Sequence, residues 1–420
     1  MGPERVAGSM SSPTTPGLAP SRVVDPAAYA LGGVAPRLAL RPADREEVAE
    51  AMGAAARDGL RVVPWGGGVA LAHQPPPARY DLALDLTGLD RIAEYDPEDY
   101  TLTAECGATV ASLRAALAAR GQELPLEAPN ASRATLGGVL AADASGPRRL
   151  RFGAPHDRIL GARFVLADGT LVRSGGKVVK NVAGYGTHRL LCGSRGGLAV
   201  MVEASFKLAP APEARIALCF GAGAAELTDA ARWSRFPRLE PSLLSVVDAS
   251  SAAALPVRAD ASFVVVVGLE DDRASASEQE QATLAVLGPP VARLEGDDAA
   301  ALWQSLADIE ETAGPRLSFT TAANTPAALA PLLAGLAGQR LVLHAPAGRL
   351  HLFPGREDAR SLVDAAAAHG FTLIGARGLA EIPRALPPQT GLLALRARIR
   401  TALDPNGTFA LGESWAAGTR

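Results

Sequence analysis

The chain has 420 residues, of which 48% are hydrophobic, 20% charged and 5% aromatic, a composition too apolar for a disordered chain and a length that suits two or three domains. Its 41 basic and 44 acidic residues leave a net charge of −3, which argues against the long-range field that gathers nucleic acid or an anionic membrane surface. Three scattered cysteines, Cys106, Cys192 and Cys219, give no disulfide framework and no zinc or iron–sulfur ligand set, and apolar runs such as Phe263 to Leu269 fall far short of the ~20 residues that span a bilayer. The chain reads as cytoplasmic, with no direct membrane insertion and any membrane association borrowed from partner subunits.

Residues 1–22, rich in Ser, Thr, Pro and Gly, read as a disordered leader. Leu38–Leu40 is a short strand. Asp44 and Glu47 have the form of a helix N-cap and capping box, with a helix to about Arg57 and Gly59 closing it. Arg61 to Trp65 completes a strand–helix–strand unit, which favours parallel pairing. A strand over Thr101 to Cys106 leads to Thr109, the N-cap of a helix ending near Gly121. Ala162–Leu166 and Thr170–Arg173 alternate around Asp168-Gly169, a dipeptide suited to a type I′ hairpin turn. The strand Leu198–Leu208 ends at Pro210 and Pro212, the first domain boundary. Beyond it, strands at Arg215–Cys219, Leu243–Val247, Ser262–Val267 and Arg340–Leu343 alternate with Ala-rich helices, among them Glu278–Leu287 and Asp298–Thr312, in an α/β or α+β pattern. Helices around Asp358–His369 and Leu393–Leu403 close the chain.

The glycines carry the chemistry. Pro64-Trp65-Gly66-Gly67-Gly68 follows a buried strand, and successive residues without Cβ let backbone amides curve around an anion such as a diphosphate. It does not match the Rossmann fingerprint, and taken alone such a triplet is more often a plain turn. Ala134 to Ala142, with Thr135, Gly137 and Gly138, excludes bulk from one face, as a flat ligand or close helix packing would require. The third cluster is Gly193-Ser194-Arg195-Gly196-Gly197. Only three of the 41 basic residues are lysine, and two of them, Lys177 and Lys180, stand three apart in Lys177-Val178-Val179-Lys180-Asn181-Val182-Ala183-Gly184-Tyr185, where a compact ammonium or a solvated loop would each account for them.

In order and spacing, the Gly66 triplet, Thr135-Leu136-Gly137-Gly138, Arg151-Phe152-Gly153, Asp168-Gly169 and the Gly193 cluster resemble the FAD-binding domain shared by vanillyl-alcohol oxidase and p-cresol methylhydroxylase (PCMH). The Lys177 to Tyr185 run resembles the FAD-binding E subunit of bacterial glycolate oxidase, as does the ending Leu403 to Gly407. The resemblance covers residues 28–210 well and 340–412 loosely. It implies an α+β protein: a two-subdomain PCMH-type FAD-binding domain over 23–211, a smaller α/β cap over 212–392 that covers the flavin and serves substrate or interface, and a segment 393–420 that returns to the FAD domain. Under it, Pro64, Gly66, Gly67, Gly68 and Val69 wrap the diphosphate, Thr135, Gly137, Gly138 and Ala142 line its other side, and Gly193, Gly196, Gly197 and Val200 complete the site. Because the loop reads Gly68-Val69-Ala70 where some members carry a tethering His or Cys, the implied FAD is non-covalent. This chain departs from the usual pattern at Gly186, at Arg195 and at Ala410-Leu411-Gly412.

His344 and His351 keep the seven-residue spacing of a metal-binding segment in flavin-dependent 2-hydroxy-acid dehydrogenases, but Ala347 and Arg349 replace its Asp and Asn. Two histidines without an acidic third ligand make a poor metal site, so no metal is expected and structural or interface roles are preferred. Lys177, Lys180, His344 and His351 remain weak catalytic candidates. The reading is an FAD-binding subunit of a glycolate oxidase-type complex that oxidises a small 2-hydroxy acid, partnered by an FAD-linked catalytic subunit and an iron–sulfur subunit. A stand-alone FAD-linked dehydrogenase of another hydroxy acid or alcohol and a flavin-free assembly subunit are the alternatives.

Overall fold

Asp44 accepts a hydrogen bond from the Glu47 N–H at 2.8 Å and starts the helix Arg45–Arg57. The Glu47 carboxylate turns back to the Ala43 N–H at 2.8 Å, one residue earlier than a capping box requires, and Gly59 leaves the helix with φ 64°. The computed structural model describes residues 22–74, 76–177, 185–229, 240–309, 314–321, 338–345, 347–355, 359–377 and 390–412, with positions 332, 335, 336, 379 and 382. The expected leader therefore lies outside the described residues except for Arg22, which pairs with Glu47 at 2.9 Å.

The strands Leu38–Leu40 and Val62–Trp65 are parallel members of one sheet, but they are not neighbours. Leu82–Asp85 lies between them and pairs with both. That strand was not expected, because all four of its residues are buried and the run shows no alternation. Val23–Val24 adds an antiparallel edge, and on the far side Phe409 pairs with Val62, the Val62 N–H donating to the Thr408 carbonyl at 2.7 Å. The C-terminal segment thus closes the first sheet.

The second sheet is antiparallel, in the order Ile92–Asp96, Thr101–Glu105, Val200–Lys207, Ile159–Val165, Leu171–Gly175. Phe164 and Phe206 are fully buried beneath it, a stabilisation of about 2–3 kcal/mol each. Thr109 caps the helix Val110–Ala118 as expected, accepting the Ser112 N–H at 3.1 Å. The type I′ turn at Asp168-Gly169 is not formed. Of the pair only Gly169 has positive φ, 89°, and Leu166 pairs with Thr170, so the loop has three residues with glycine in the left-handed position.

Among the described residues the cap is one eight-stranded antiparallel sheet with Ala292–Glu295 and Thr372–Arg377 as its edge strands. It is an α+β layer rather than a βαβ alternation. One face carries Leu218, Val265, Leu317, Phe319 and Leu350 into a core shared with the helices Arg273–Leu287 and Ala359–Ala368. The opposite face is divided. Its half around Cys219, Val247 and Val266 packs on Trp303 and Leu306 of the helix Gly296–Ile309, and its other half is polar.

A buried charge cluster joins the cap to the first domain. The Arg148 guanidinium reaches Glu123 at 2.5 Å and Glu270 at 2.7 Å, Arg215 reaches the same two carboxylates at 3.0 and 3.4 Å, and the Arg148 N–H donates to Glu127 at 2.7 Å. Burial raises the Glu127 carboxyl above its ordinary value despite the nearby Arg148 charge. Nearby, Asp308 accepts the Asn130 N–H at 2.8 Å and Gln304 donates to the Ala128 carbonyl at 3.0 Å, so the helix Gly296–Ile309 is pinned to the first domain at several points.

Candidate functional site

A cleft of about 570 Å³ lies between the first domain and the cap. Its first wall is backbone. The strand Val62–Trp65 ends in Gly66-Gly67-Gly68, where a Cβ on Gly67 would overlap the Arg133 carbonyl and one on Gly66 would overlap the Thr135 hydroxyl. Only glycine permits that approach. Gly68 takes φ 77°, and Arg133 donates to the Gly67 carbonyl at 3.0 Å, which fixes the loop. Thr135 caps the helix Leu136–Ala142 by accepting the Gly138 N–H at 3.2 Å, while Gly137 fits against the strand end at Cys106, its N–H donating to the Cys106 carbonyl at 2.7 Å.

The third glycine segment is bound to the second. The Gly193 N–H donates to Leu140 O at 3.0 Å and the Arg195 N–H to Ala141 O at 2.8 Å. Gly193, Arg195 and Gly196 all have positive φ, at 78°, 57° and 72°, and Gly196 packs on Pro64. An arginine held in that conformation is strained, which marks the segment as over-determined by its surroundings. The three segments that the sequence singles out therefore meet in one cleft. Pro64, Gly66, Gly67, Gly68, Val69, Thr135, Gly137, Gly138, Ala142, Gly193, Gly196 and Val200 all line it. Gly197 does not: it is turned to the C-terminal segment, where a Cβ would stand 3.0 Å from Gly412, so its small size serves packing behind the wall.

The second wall is made of side chains from the polar half of the cap sheet. Along Arg316–Thr320 and Arg349–Leu352 apolar and polar residues alternate: Leu317, Phe319, Leu350 and Leu352 enter the cap core, and Arg316, Ser318, Arg349 and His351 line the cleft. Thr372–Arg377 adds Gly375 and Arg377. The His351 ring is oriented by Ser318, Nδ1 to Oγ at 3.0 Å.

The other candidates lie elsewhere. Lys177 forms an ion pair with Glu94 at 2.5 Å, on the strand at the opposite edge of the second sheet, and is not among the lining residues. Lys180 lies outside the described residues. His344 is buried against Ser245, Nδ1 to Oγ at 2.8 Å, and its ring centroid is 6.2 Å from that of His351, but it does not reach the cleft. Among the described residues no group of three or more His, Cys, Asp or Glu could hold a metal ion. Cys106 and Cys192 line the cleft, yet burial pushes both thiols up, Cys192 to about 12, so neither offers a thiolate near neutral pH.

Sequence reasoning passed over Arg133, Asp143, Arg316 and Arg377, and took Arg349 only as a departure from a metal-binding segment. Asp143 lines the cleft with φ 49° and accepts from His156 at 3.0 Å. The alternation in Arg316-Leu317-Ser318-Phe319-Thr320 was the available signal for the cap wall.

The glycine-lined wall fits a dinucleotide diphosphate. Its small residues leave main-chain groups accessible over a concave surface, and Arg189 and Arg195 add positive charge from the same side. Residues 36–175 match the family described as FAD binding domain, and FAD is the cofactor that match identifies. The glycolate oxidase subunit GlcE of Escherichia coli (strain K12) is 43% identical over 128 residues, 30% of this chain and 37% of that protein. The glycolate oxidase subunit GlcD of Bacillus subtilis (strain 168) is 31% identical over 180 residues, 43% of this chain and 38% of that protein. The D-lactate dehydrogenase of Archaeoglobus fulgidus is 34% identical over 182 residues, 42% of this chain and 41% of that protein. The chain spans about two fifths of the length of these curated relatives. Among solved structures, alkyldihydroxyacetonephosphate synthase superposes with a TM-score of 0.67 over 90% of this chain and 76% of that one at 16% identity, a likeness of fold.

Proposed function

We propose that the chain is an FAD-dependent oxidoreductase acting on the CH–OH group of a small 2-hydroxy acid, and that it works as the FAD-binding subunit of a glycolate oxidase-type complex. The convergence of three glycine segments on one wall of a cleft, facing a side-chain wall rich in arginine, carries this reading. The similarity to GlcE, GlcD and a D-lactate dehydrogenase supports it.

When bound, FAD takes up two electrons from the substrate and releases them onward, chemistry that side chains alone do not supply. The chain's own residues bind and position. Gly66 to Val69, Thr135, Gly137, Gly138, Gly193 and Gly196 would hold the diphosphate by main-chain contact, with Ala142, Pro64 and Val200 beside them. Val69 and Ala70 offer no atom for a covalent link beside the glycine loop, which supports a cofactor held non-covalently. On the cap wall, arginine forks match the carboxylate of a hydroxy acid, and His351, held by Ser318, is placed to accept a proton at its ring. The partners in this reading are an FAD-linked catalytic subunit and an iron–sulfur subunit, which would receive the electrons.

An absorbance spectrum of the purified chain, followed by acid precipitation, tests the reading: a yellow supernatant is expected, and a colourless protein that takes up no added FAD would refute it. Co-purification of an iron–sulfur protein tests the complex. The presence of a full cap wall in this chain favours one second reading, a stand-alone dehydrogenase, which reduction of a dye by the pure flavin-loaded chain with glycolate or lactate would establish.

A further inference from the structure

We infer that Asp143, His156 and Asp157 form a proton relay that connects the glycine wall of the cleft to solvent. The inference rests on the flavin reading above and adds the route by which a proton leaves.

Oxidation of a 2-hydroxy acid to the 2-oxo acid removes two electrons and two protons. One proton comes from the hydroxyl. The other leaves the carbon together with the electron pair and reaches solvent only when the flavin passes its electrons on, so two acceptors serve one turnover. On the cap wall His351 takes the first. On the glycine wall the choice is narrow: among the described lining residues Asp143 is the only carboxylate, and burial keeps the Cys106 and Cys192 thiols protonated near neutral pH.

Asp143 is built into a hydrogen-bonded path. It ends the helix Leu136–Ala142 in the left-handed region, φ 49°, with its N–H donating to the Leu140 carbonyl at 3.0 Å, and a Cβ on Gly193 would stand 3.6 Å from its own. Both carboxylate oxygens lie 3.0 Å from His156 Nδ1. The other ring nitrogen, Nε2, lies 3.3 Å from Asp157 Oδ1. Asp157 is fixed by its second oxygen, which accepts the Ala154 N–H at 2.9 Å. Side-chain exposure rises along the path, from 22% at Asp143 through 39% at His156 to 54% at Asp157, and neither His156 nor Asp157 lines the cleft. An ion pair that only fastened His156 would be complete with Asp143. A carboxylate at the far nitrogen is what a path requires.

The transfer balances. With the ring proton on Nε2, Asp143 takes a proton from the cleft and hands it on: its O–H bond breaks, the Nδ1–H bond forms, and the Nε2–H bond breaks as that proton passes to Asp157 and water. The half-exposed ring regains the first tautomer by exchange with solvent.

The test is reoxidation of the flavin-loaded full chain, reduced anaerobically with stoichiometric dithionite and mixed with ferricyanide. The flavin band reports electron loss and a pH-indicator dye in weak buffer reports proton release. H156A should slow both by about tenfold or more, and imidazole added to the solution should restore them. H156Q, which keeps a donor for Asp143 but carries no proton onward, should retain flavin content and urea midpoint close to the wild type and yet be as slow as H156A. D157N should be slow as well, while K207Q on the outer surface matches the wild type. Wild-type rates in H156A, H156Q or D157N on yellow protein overturn this inference and leave the flavin reading standing. Slowing in H156A that imidazole does not relieve overturns it too. A protein that takes up no FAD removes both.

Discussion

The two walls of the cleft solve the same problem, holding an anion, by opposite means. The glycine wall uses main chain brought close by the absence of side chains, and its geometry is fixed by contacts such as Gly67 against Arg133 and Arg195 N–H to Ala141 O at 2.8 Å. The arginine wall uses long side chains standing on a regular sheet whose opposite face is a closed apolar core. A wall made of backbone tolerates little substitution, because adding an atom moves the chain. A wall made of side chains on a strand can be rewritten without disturbing what lies beneath, which makes it the natural place for substrate choice.

The strongest way to break the comparison is to separate the walls. Arg148→Ala leaves Glu123, Glu127 and Glu270 buried without their main counter-charge, and a loss of about 3–5 kcal/mol in chemical denaturation is expected, with the cap detached from the flavin domain. Next in size, Gly67→Ala should cost about 3 kcal/mol and abolish flavin retention, because the new methyl group meets backbone that cannot yield. Arg349→Gln, the matching change on the other wall, should leave the melting temperature within a few degrees and the bound flavin in place.

A pH series sharpens the picture of the joint between the walls. The Glu127 carboxyl is raised by burial, so the folded state holds its proton more tightly than the unfolded one, and the stability this adds below the ordinary value of 4.5 is lost as pH rises towards the folded value. Glu127→Gln should therefore gain stability relative to the wild type as pH is raised from 4.5, measured by urea midpoints. A constant difference across that range would contradict the assignment. The smallest effects come from single hydroxyls. Thr135→Ala and Ser318→Ala should each cost about 1 kcal/mol, but only Thr135→Ala should weaken flavin binding, because Thr135 caps the helix in the glycine wall whereas Ser318 orients His351.

The same contrast explains what could be read from the sequence. Glycines declare themselves, because few positions demand φ values such as the 77° of Gly68 or an approach as close as that of Gly67, so the first wall was legible in residues 64–69, 135–142 and 193–196. Gly197 shows the limit of that signal, since packing against Gly412 asks for the same residue as ligand contact does. The strand Leu82–Asp85 escaped notice because full burial erased its alternation. Two cap arginines escaped for a different cause: in a chain that uses arginine almost wherever it needs a cation, Arg316 and Arg377 look like any solvated surface charge until the sheet register pairs them, and Arg349 stood out only as a departure from a metal-binding segment. Lysine scarcity pointed instead to Lys177, whose partner is Glu94.

The pairing of Phe409 with Val62 has a consequence for biosynthesis. Val62 begins the strand that delivers the glycine loop, and its outer edge is covered only when Thr408 and Ala410 exchange main-chain bonds with it and Asp404 fixes the turn by accepting the Thr408 and Phe409 N–H groups at 2.7 and 2.9 Å. On the ribosome, that edge waits until the whole cap has been translated. The nascent first domain stays one neighbour short until residues 404–410 have been made, and its maturation is coupled to translation of the segment that follows the cap.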